Sequence, residues 1–221
     1  MQENHRFPDM IATIRQLILL IAILGAGLIG APFSASAADL CKDSVASRAA
    51  ASAPRSQLPR GLSGRLRIGN VRAAGKYLDV KNRSKKHGAY IVSWRKERNQ
   101  KNQIWSLLRV GSYYKIRNER SGLFLSVKTT SGRWCDRHWV IQAGAPRRGD
   151  AASQNLQLWG IYCSPSPVAV TCSIKNVSTR TQLDIKNKSK GNGAYIVVFP
   201  YRKDRRGRQE QNQRWSLLSV R

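Results

Sequence analysis

The chain has 221 residues, which is enough for one domain with a full core and leaves no room for a separate catalytic domain beside it. Its 39 lysines and arginines stand against 12 acidic residues, and the resulting net charge of +27 predicts an attraction to polyanions. The charge indicates the kind of partner and does not select one.

Residues 1–37 have the pattern of a cleavable export signal. Arg6 and Arg15 precede an almost unbroken apolar run at residues 17–29, and residues 35–37 fit a small-residue cleavage site. A membrane anchor is the competing interpretation, because an uncleaved apolar run of this kind approaches the length of a spanning helix. We expect cleavage, a mature chain without a membrane span, and a secreted or periplasmic location.

Export makes disulfides permissible, and the chain has four cysteines: Cys41, Cys135, Cys163 and Cys172. No two of them are two residues apart and none has an adjacent histidine, so we expect no metal site. Cys163 and Cys172 flank a proline-containing segment and would close a small loop. A bond between Cys135 and Cys163 is equally allowed, so the sequence leaves the connectivity open.

Residues 38–64 predict a flexible linker, because they are rich in Ala, Ser, Arg and Pro and lack apolar periodicity. From Arg65 onward, short runs of β-branched and aromatic residues alternate with Gly, Asn and Ser. This pattern is typical of an all-β domain with many short strands.

Residues 65–221 contain three similar copies, at about 65–110, 111–163 and 168–221. Each copy opens with Ile-x-Asn and ends with Gln-x-Trp. The motif residues are Gln103 and Trp105, Gln157 and Trp159, and Gln213 and Trp215. Copies one and three are close relatives, whereas copy two diverges and has a predicted insertion at residues 132–149.

Each copy predicts four short strands, which in copy one are residues 66–71, 77–80, 90–94 and 104–108. Three copies give twelve strands. No single copy can bury its own apolar face, and a closed barrel removes the exposed edges that separate hairpins would leave.

Three in-phase Gln-x-Trp motifs, each preceded by Ile-x-Asn, resemble the ricin-B-type lectin family over residues 65–221. The resemblance implies an all-β chain with a single β-trefoil behind the signal and linker. It also implies that the three motif tryptophans, Trp105, Trp159 and Trp215, pack in the core at the pseudo-threefold axis. The motif glutamines are expected to satisfy nearby backbone groups.

The resemblance further implies shallow sugar pockets. In such a pocket an Asp accepts hydrogen bonds from two sugar hydroxyls, an aromatic ring stacks on the sugar, and an Asn adds a polar contact. The matching residues are Asp79, Trp94 and Asn102 in copy one and Asp184, Phe199 and Asn212 in copy three. Tyr201 is close enough in sequence to replace Phe199 as the aromatic platform.

Copy two has Ser126 in place of the Asp, so its site is expected to be dead or altered. The family often has a Gln two residues before the aromatic, where this chain has Val92 and Val197, and that departure predicts a different affinity or sugar preference. The structural alternative for Asp79 and Asp184 is that each caps a hairpin turn.

Basic residues concentrate in two segments of each close copy, at 81–86 and 95–101 and at 186–190 and 202–208. In the expected fold these segments border the sugar pockets, which favours an acidic glycan as ligand, since arginine forks fit sulfate, carboxylate and phosphate. A solvated basic face is the alternative interpretation. General binding of polyanions such as heparin or nucleic acid is a rival function, although export argues against nucleic acid as the biological partner.

A second rival function is the cell-binding subunit of a multi-protein toxin, because the lectin subunits of cytolethal distending toxins are similar and also have an N-terminal tail. Catalysis is not expected. His87 and His138 are predicted to lie in loops without a catalytic constellation nearby in sequence. Asp79 and Asp184 would occupy equivalent positions of a threefold barrel, and we expect them to lie too far apart for a glycosidase pair. We expect no cofactor.

Overall fold

The computed structural model describes Leu58, Leu62 and residues 64–128, 138–164 and 170–220. The predicted export signal, most of the predicted linker, Cys41 and Cys135 lie outside the described residues. Leu58 and Leu62, which belong to the predicted linker, pack against the core of the domain. In the described part of the chain, no helix is both long enough and apolar enough to cross a membrane.

Twelve strands, four in each copy, form the described domain. Copy one has β1 (Arg65–Asn70), β2 (Lys76–Val80), β3 (Ile91–Arg95) and β4 (Trp105–Val110). Copy two has β5 (Tyr113–Asn118), β6 (Phe124–Lys128), β7 (His138–Ala143) and β8 (Trp159–Ser164). Copy three has β9 (Thr171–Asn176), β10 (Gln182–Ile185), β11 (Ala194–Phe199) and β12 (Arg214–Ser219). One short helix, α1 (Ala151–Leu156), precedes β8 and is not predicted by the sequence.

The first and last strands of the three copies close into a six-stranded barrel. Its order is β1, β4, β5, β8, β9 and β12, and β12 pairs with β1 again. The middle strands form the hairpins β2–β3, β6–β7 and β10–β11. These hairpins meet through pairing of β11 with both β3 and β7. This architecture confirms the predicted single β-trefoil.

One core contains the three motif tryptophans, of which at most 1% of each is exposed. Each indole Nε1 donates a hydrogen bond to a carbonyl in the second strand of its own copy. The acceptors are Leu78 at 3.1 Å, Leu125 at 3.0 Å and Leu183 at 3.0 Å. A buried tryptophan removes a large apolar area from water, and here its one polar group is satisfied. The tryptophans therefore tie the hairpins to the barrel.

The asparagines of Ile-x-Asn join each copy to the copy before it. The side-chain amide of Asn118 donates to the carbonyls of Asn102 and Ile104, at 3.0 and 3.4 Å. Asn176 and Asn70 make the same pair of bonds to the Gln-x-Trp segments of copies two and three. Because the bonds run from copy three to copy two, from copy two to copy one and from copy one to copy three, they hold the barrel closed.

The insertion predicted at residues 132–149 is wrong in its extent, because it contains β7, the third strand of copy two. His138, predicted to lie in a loop, begins this strand. Glycines and arginines on either side give the segment the composition of a loop, while pairing with β6 and β11 makes it a strand. Helix α1 follows it, and its N-cap Asp150 accepts a hydrogen bond from the backbone of Ser153 at 3.0 Å.

Cys163 and Cys172 face each other across β8 and β9 and form a disulfide. This is one of the pairings that the sequence leaves open.

Candidate functional site

A hollow of about 180 Å³ opens on the hairpin of copy one. The buried carboxylate of Asp79 and the half-buried ring of Trp94 line it, together with Asn102. Gly193 of copy three borders the same hollow, with a φ of +77° that favours glycine. All three residues predicted for the copy-one site are therefore in one hollow.

The carboxylate of Asp79 is held by two side-chain amides. Its Oδ1 accepts a hydrogen bond from Asn102 Nδ2 and its Oδ2 accepts one from Gln103 Nε2, both at 2.8 Å. Gln103 is anchored in turn by a bond to the carbonyl of Arg95 at 2.8 Å. Each carboxylate oxygen has more than one acceptor site, so Asp79 retains capacity for ligand hydroxyls. Gln103, predicted only as a core residue, thus also orients the site.

Copy three repeats this arrangement in a hollow of about 160 Å³. Asp184 Oδ1 accepts from Asn212 Nδ2 at 2.6 Å, and Oδ2 accepts from Gln213 Nε2 at 2.9 Å. Gln213 also donates to the carbonyl of Pro200 at 2.8 Å. Asp184, Phe199 and Asn212 all line the hollow. The two carboxylates therefore have the same kinds of hydrogen-bond partner.

Burial changes the acidity of both carboxyl groups. It raises the pKa of Asp79 to about 6, against the opposing effect of the hydrogen bonds from Gln103 and Asn102. The pKa of Asp184 is also raised by burial, and the hydrogen bonds from its two amides again oppose the change. Both aspartates are thus charged groups in surroundings that disfavour their charge.

Copy two keeps the motif glutamine, Gln157, but lacks the other three residues of the site. Asp79 lies opposite Val92 and Asp184 opposite Val197, as Ser126 lies opposite Ile141. Two residues farther along the hairpin, Trp94 and Phe199 correspond to Ala143 of copy two. At the position before the motif glutamine, Asn102 and Asn212 correspond to Leu156. The loss of the aspartate, which the sequence analysis identified, is thus accompanied by loss of the ring and of the asparagine.

The ring of Trp94 is fixed by an ion pair that the sequence analysis missed. Its Nε1 donates to Glu97 Oε1 at 3.0 Å, and Glu97 Oε2 accepts from the Arg83 guanidinium at 2.8 Å. These hydrogen bonds, from Arg83 first and then from Trp94, lower the pKa of Glu97. A single glutamate within the basic segment at 95–101 was the available sequence clue. Glu97 thus holds the aromatic platform of copy one.

The ring of Phe199, unlike that of Trp94, has a cation over its face. The guanidinium carbon of Arg202 lies 3.8 Å from the ring centroid. Tyr201, the alternative platform, is 50% exposed and is not among the residues lining the hollow. The aromatic platform of copy three is therefore covered by a cation of its own loop.

The turns beside the two aspartates adopt an unusual backbone conformation. Asn82 and Arg83 have φ of 57° and 51°, and Asn187 and Lys188 have φ of 57° and 55°. Left-handed conformations at consecutive non-glycine residues store strain and cluster at functional sites. These turns bring the basic segments to the rims of both hollows, as predicted from the positions of residues 81–86 and 186–190.

Within the described ranges, no group of three or more His, Cys, Asp or Glu side chains could hold a metal ion. His87 accepts a hydrogen bond at Nδ1 from the backbone of Gly144 at 3.2 Å, which is a structural contact between copies one and two.

The model of the family described as ricin-type β-trefoil lectin domain-like matches residues 57–134. No curated protein matches the sequence. The designed threefold-symmetric protein ThreeFoil is 25% identical with a TM-score of 0.57, and the match covers 71% of this chain and 99% of that one. An exo-β-1,3-galactanase from Clostridium thermocellum is 26% identical with a TM-score of 0.57, and the match covers 74% of this chain and 32% of that one.

A ricin B-like lectin of Macrolepiota procera, in complex with lactose, is 17% identical with a TM-score of 0.53, and the match covers 74% of this chain and 99% of that one. The chain thus spans the full length of small trefoil proteins and about a third of the galactanase. The family model confirms, over residues 57–134, the resemblance to ricin-B-type lectins that the Gln-x-Trp motifs indicate, and the solved structures support the fold.

Proposed function

We propose that this chain, with its ricin-type lectin-like trefoil, is a carbohydrate-binding module whose binding sites are the hollows of copies one and three. One observation carries the proposal: in each hollow a buried carboxylate is oriented by two amides beside an aromatic ring. A carboxylate accepts hydrogen bonds from two neighbouring hydroxyls, and a flat ring packs against the C–H face of a sugar. Together these groups select a polyhydroxylated ring.

Catalysis is not part of the proposal. Asp79 and Glu97 both line the copy-one hollow, and glycoside hydrolysis does use two carboxyl groups. However, both oxygens of Asp79 accept hydrogen bonds from amides, which oppose the rise in its pKa that burial causes. Both oxygens of Glu97 are likewise engaged, by Trp94 and Arg83. We therefore propose that the two groups position a ligand and do not transfer a proton to it.

A glycan array tests the binding proposal. Asp79→Ala and Asp184→Ala are compared with the native chain, and Ser126→Ala, at the equivalent position of copy two, is the matched control. We expect glycan signal from the native chain and the control, and loss in at least one aspartate variant. Absence of any glycan signal from the native chain, or equal loss in all three variants, would contradict the proposal.

The second part of the proposal is that the ligand is an acidic glycan. Both rims present lysine and arginine, and a further hollow of about 390 Å³ is lined by Arg65, Arg67, Lys96, Arg98 and Lys101 without an acidic side chain. Guanidinium groups bind sulfate, carboxylate and phosphate through paired hydrogen bonds. Heparin-affinity chromatography tests this preference, and elution below physiological salt would contradict it.

General polyanion binding is the rival that the charge favours. It predicts steeply salt-dependent binding to duplex DNA that added sugars do not displace. Competition with a neutral sugar separates the two functions, since such a sugar displaces the glycan from a lectin site and leaves general polyanion binding unchanged.

We also propose that the chain is exported, on the pattern of residues 1–37. Sequencing the N-terminus of the protein recovered outside the cytoplasm tests this, and an intact Met1 would contradict cleavage. A role as toxin subunit remains the alternative for its biological context, and co-purification of a toxin partner from the native source is the observation that would favour it.

A further inference from the structure

The three hairpins meet at a cluster of aromatic rings that neither hollow uses. Tyr90, Trp139 and Tyr195 contact one another edge to face, with ring centroids 5.1 to 5.8 Å apart. Each copy contributes one ring, from the start of its third strand or the residue just before it. The rings are half-buried and lie around the pseudo-threefold axis.

Three lysines surround these rings in the same threefold order. Lys81 of copy one lies over Tyr195 of copy three at 4.7 Å, and Lys186 of copy three lies over Trp139 of copy two at 4.5 Å. Lys128 of copy two lies over Tyr90 of copy one at 5.4 Å. The distances run from each ammonium nitrogen to the ring centroid. We name these three lysines and three rings the axial cluster.

The axial cluster concentrates positive charge without a matching acid. None of its three lysines forms an ion pair with any described residue. Lys81 and Lys128 each donate one hydrogen bond, to Tyr195 and Tyr90, at 2.6 and 3.4 Å. Each ammonium group has three donors, so donors remain for a ligand. The ring faces offset part of the mutual repulsion of the lysines and hold them in position.

We propose that the axial cluster is a subsite for the sulfate or carboxylate groups of an acidic glycan chain that also enters the hollows. The inference rests on the proposed carbohydrate binding and extends it. Lys81 also lines the copy-one hollow and Lys186 the copy-three hollow, so the cluster adjoins both sugar sites. We therefore expect a chain seated in one hollow to reach the axial ammonium groups with its next acidic units.

The ring geometry favours a glycan over single-stranded nucleic acid. Single strands bind such surfaces by stacking bases on free aromatic faces. Here each ring has a lysine over its face and a neighbouring ring against it. Part of the surface of each ring is thus already engaged, which favours binding through the ammonium donors over stacking.

Lys128→Gln is the decisive variant, because Lys128 is exposed and lines neither hollow. Lys115→Gln is the matched control, since Lys115 also lies over a ring, that of Phe124 at 5.3 Å, outside the axial cluster. The probes are heparin oligosaccharides and the same oligosaccharides after desulfation, measured by titration calorimetry at fixed salt. Because a charged hydrogen bond is lost, we expect Lys128→Gln to weaken sulfated-probe binding about threefold to tenfold. Lys115→Gln should leave it within about twofold, a change too small for loss of such a bond.

Equal weakening by the two lysine variants would overturn the inference, because it would indicate an effect of total charge. Weakening of a single-stranded DNA probe, titrated at the same salt, as large as that of the sulfated probe would also overturn it. The proposed function fails by a different result, in which Asp79→Ala and Asp184→Ala leave the binding of every glycan unchanged. The two failures are therefore distinguishable in one set of titrations.

Discussion

Copies one and three bury a carboxylate at a position where copy two, with the same strand pairing, has a serine. Copy two still forms its hairpin and still buries its tryptophan, so the fold does not need an aspartate there. Burying a charge is unfavourable, as the raised pKa values of Asp79 and Asp184 indicate. The trefoil fold therefore does not require an aspartate at this position, which supports the proposed role of Asp79 and Asp184 in binding.

Copies one and three also differ from each other at the aromatic platform. Trp94 is held by Glu97 at its edge, whereas Phe199 is covered on its face by Arg202. A sugar can stack on Trp94 without displacing a cation, but it must first move Arg202 in copy three. We therefore expect copy one to be the tighter site.

The largest expected effect comes from putting the aspartate of the other copies into copy two. In Ser126→Asp the new carboxylate has Leu156 where Asn102 and Asn212 stand in the other copies, so it lacks one of its two amide partners. We expect a loss of unfolding free energy of about 2–4 kcal/mol in urea denaturation. Adding Leu156→Asn should recover part of the lost unfolding free energy. A fully stable single variant would show that the amide pair is not what makes the burial tolerable.

The second expected effect is a pH dependence of the copy-one site. Burial raises the pKa of Asp79 to about 6, so this group takes up a proton as the pH falls below 6. If only the carboxylate form binds, affinity for a neutral glycan should fall about tenfold from pH 7 to pH 5. Stability should change in the opposite direction, because a folded-state pKa above the ordinary value favours the folded state as the pH falls from 6 toward 4.

Asp79→Asn is the control for this pH effect, since it removes the titrating group while retaining the shape of the side chain. Measured in an Asp184→Ala background, which removes the second carboxyl group with a raised pKa, its residual binding should not vary between pH 5 and 7. The same pH dependence in the native chain and in Asp79→Asn would assign the titration to another group.

A smaller effect is expected from uncovering the ring of copy three. Arg202→Gln removes the guanidinium over Phe199, while the backbone bond from residue 202 to Gln213 remains possible. An exposed cation–π contact contributes about 0.5–1 kcal/mol, so affinity for a neutral sugar at copy three should rise about twofold to fivefold. The measurement is made in an Asp79→Ala background to silence copy one. Unchanged affinity would mean that Arg202 does not compete with the ligand.

The smallest effect is expected from loosening the ring of copy one. Glu97→Gln retains an acceptor for the indole of Trp94 and removes the ion pair with Arg83. Exposed ion pairs are worth about 0–1 kcal/mol, so neutral-sugar affinity should fall less than about fivefold. Glu119→Gln, which removes the weaker pair with Arg117 away from the hollow, is the control and should bind like the native chain. A larger loss in the control would show that the effect is global.

Much of the fold and most of the candidate site could be predicted from the sequence. The repeated Ile-x-Asn and Gln-x-Trp motifs marked the copies, and the predicted strands of copy one begin and end within two residues of the observed ones. The sequence did not predict β7. The residues on either side of it have the composition of a loop, and the strand is defined by its pairing with β6 and β11. The prediction also missed Ala143, because the divergence of copy two hides which residue corresponds to the aromatic until strand register aligns them. Leu156 could have been identified from the sequence, since it directly precedes the motif glutamine.

The sequence by itself determined the threefold repeat, the all-β class and the two aspartates with their predicted partners, because these depend on short motifs that recur along the chain. Only the tertiary structure decided how residues from different copies meet. Closure of the barrel brings Asn118 to the Gln-x-Trp segment of copy one and brings each axial lysine over a ring of another copy. Contacts of this kind join residues that are distant along the chain, and no local pattern encodes them.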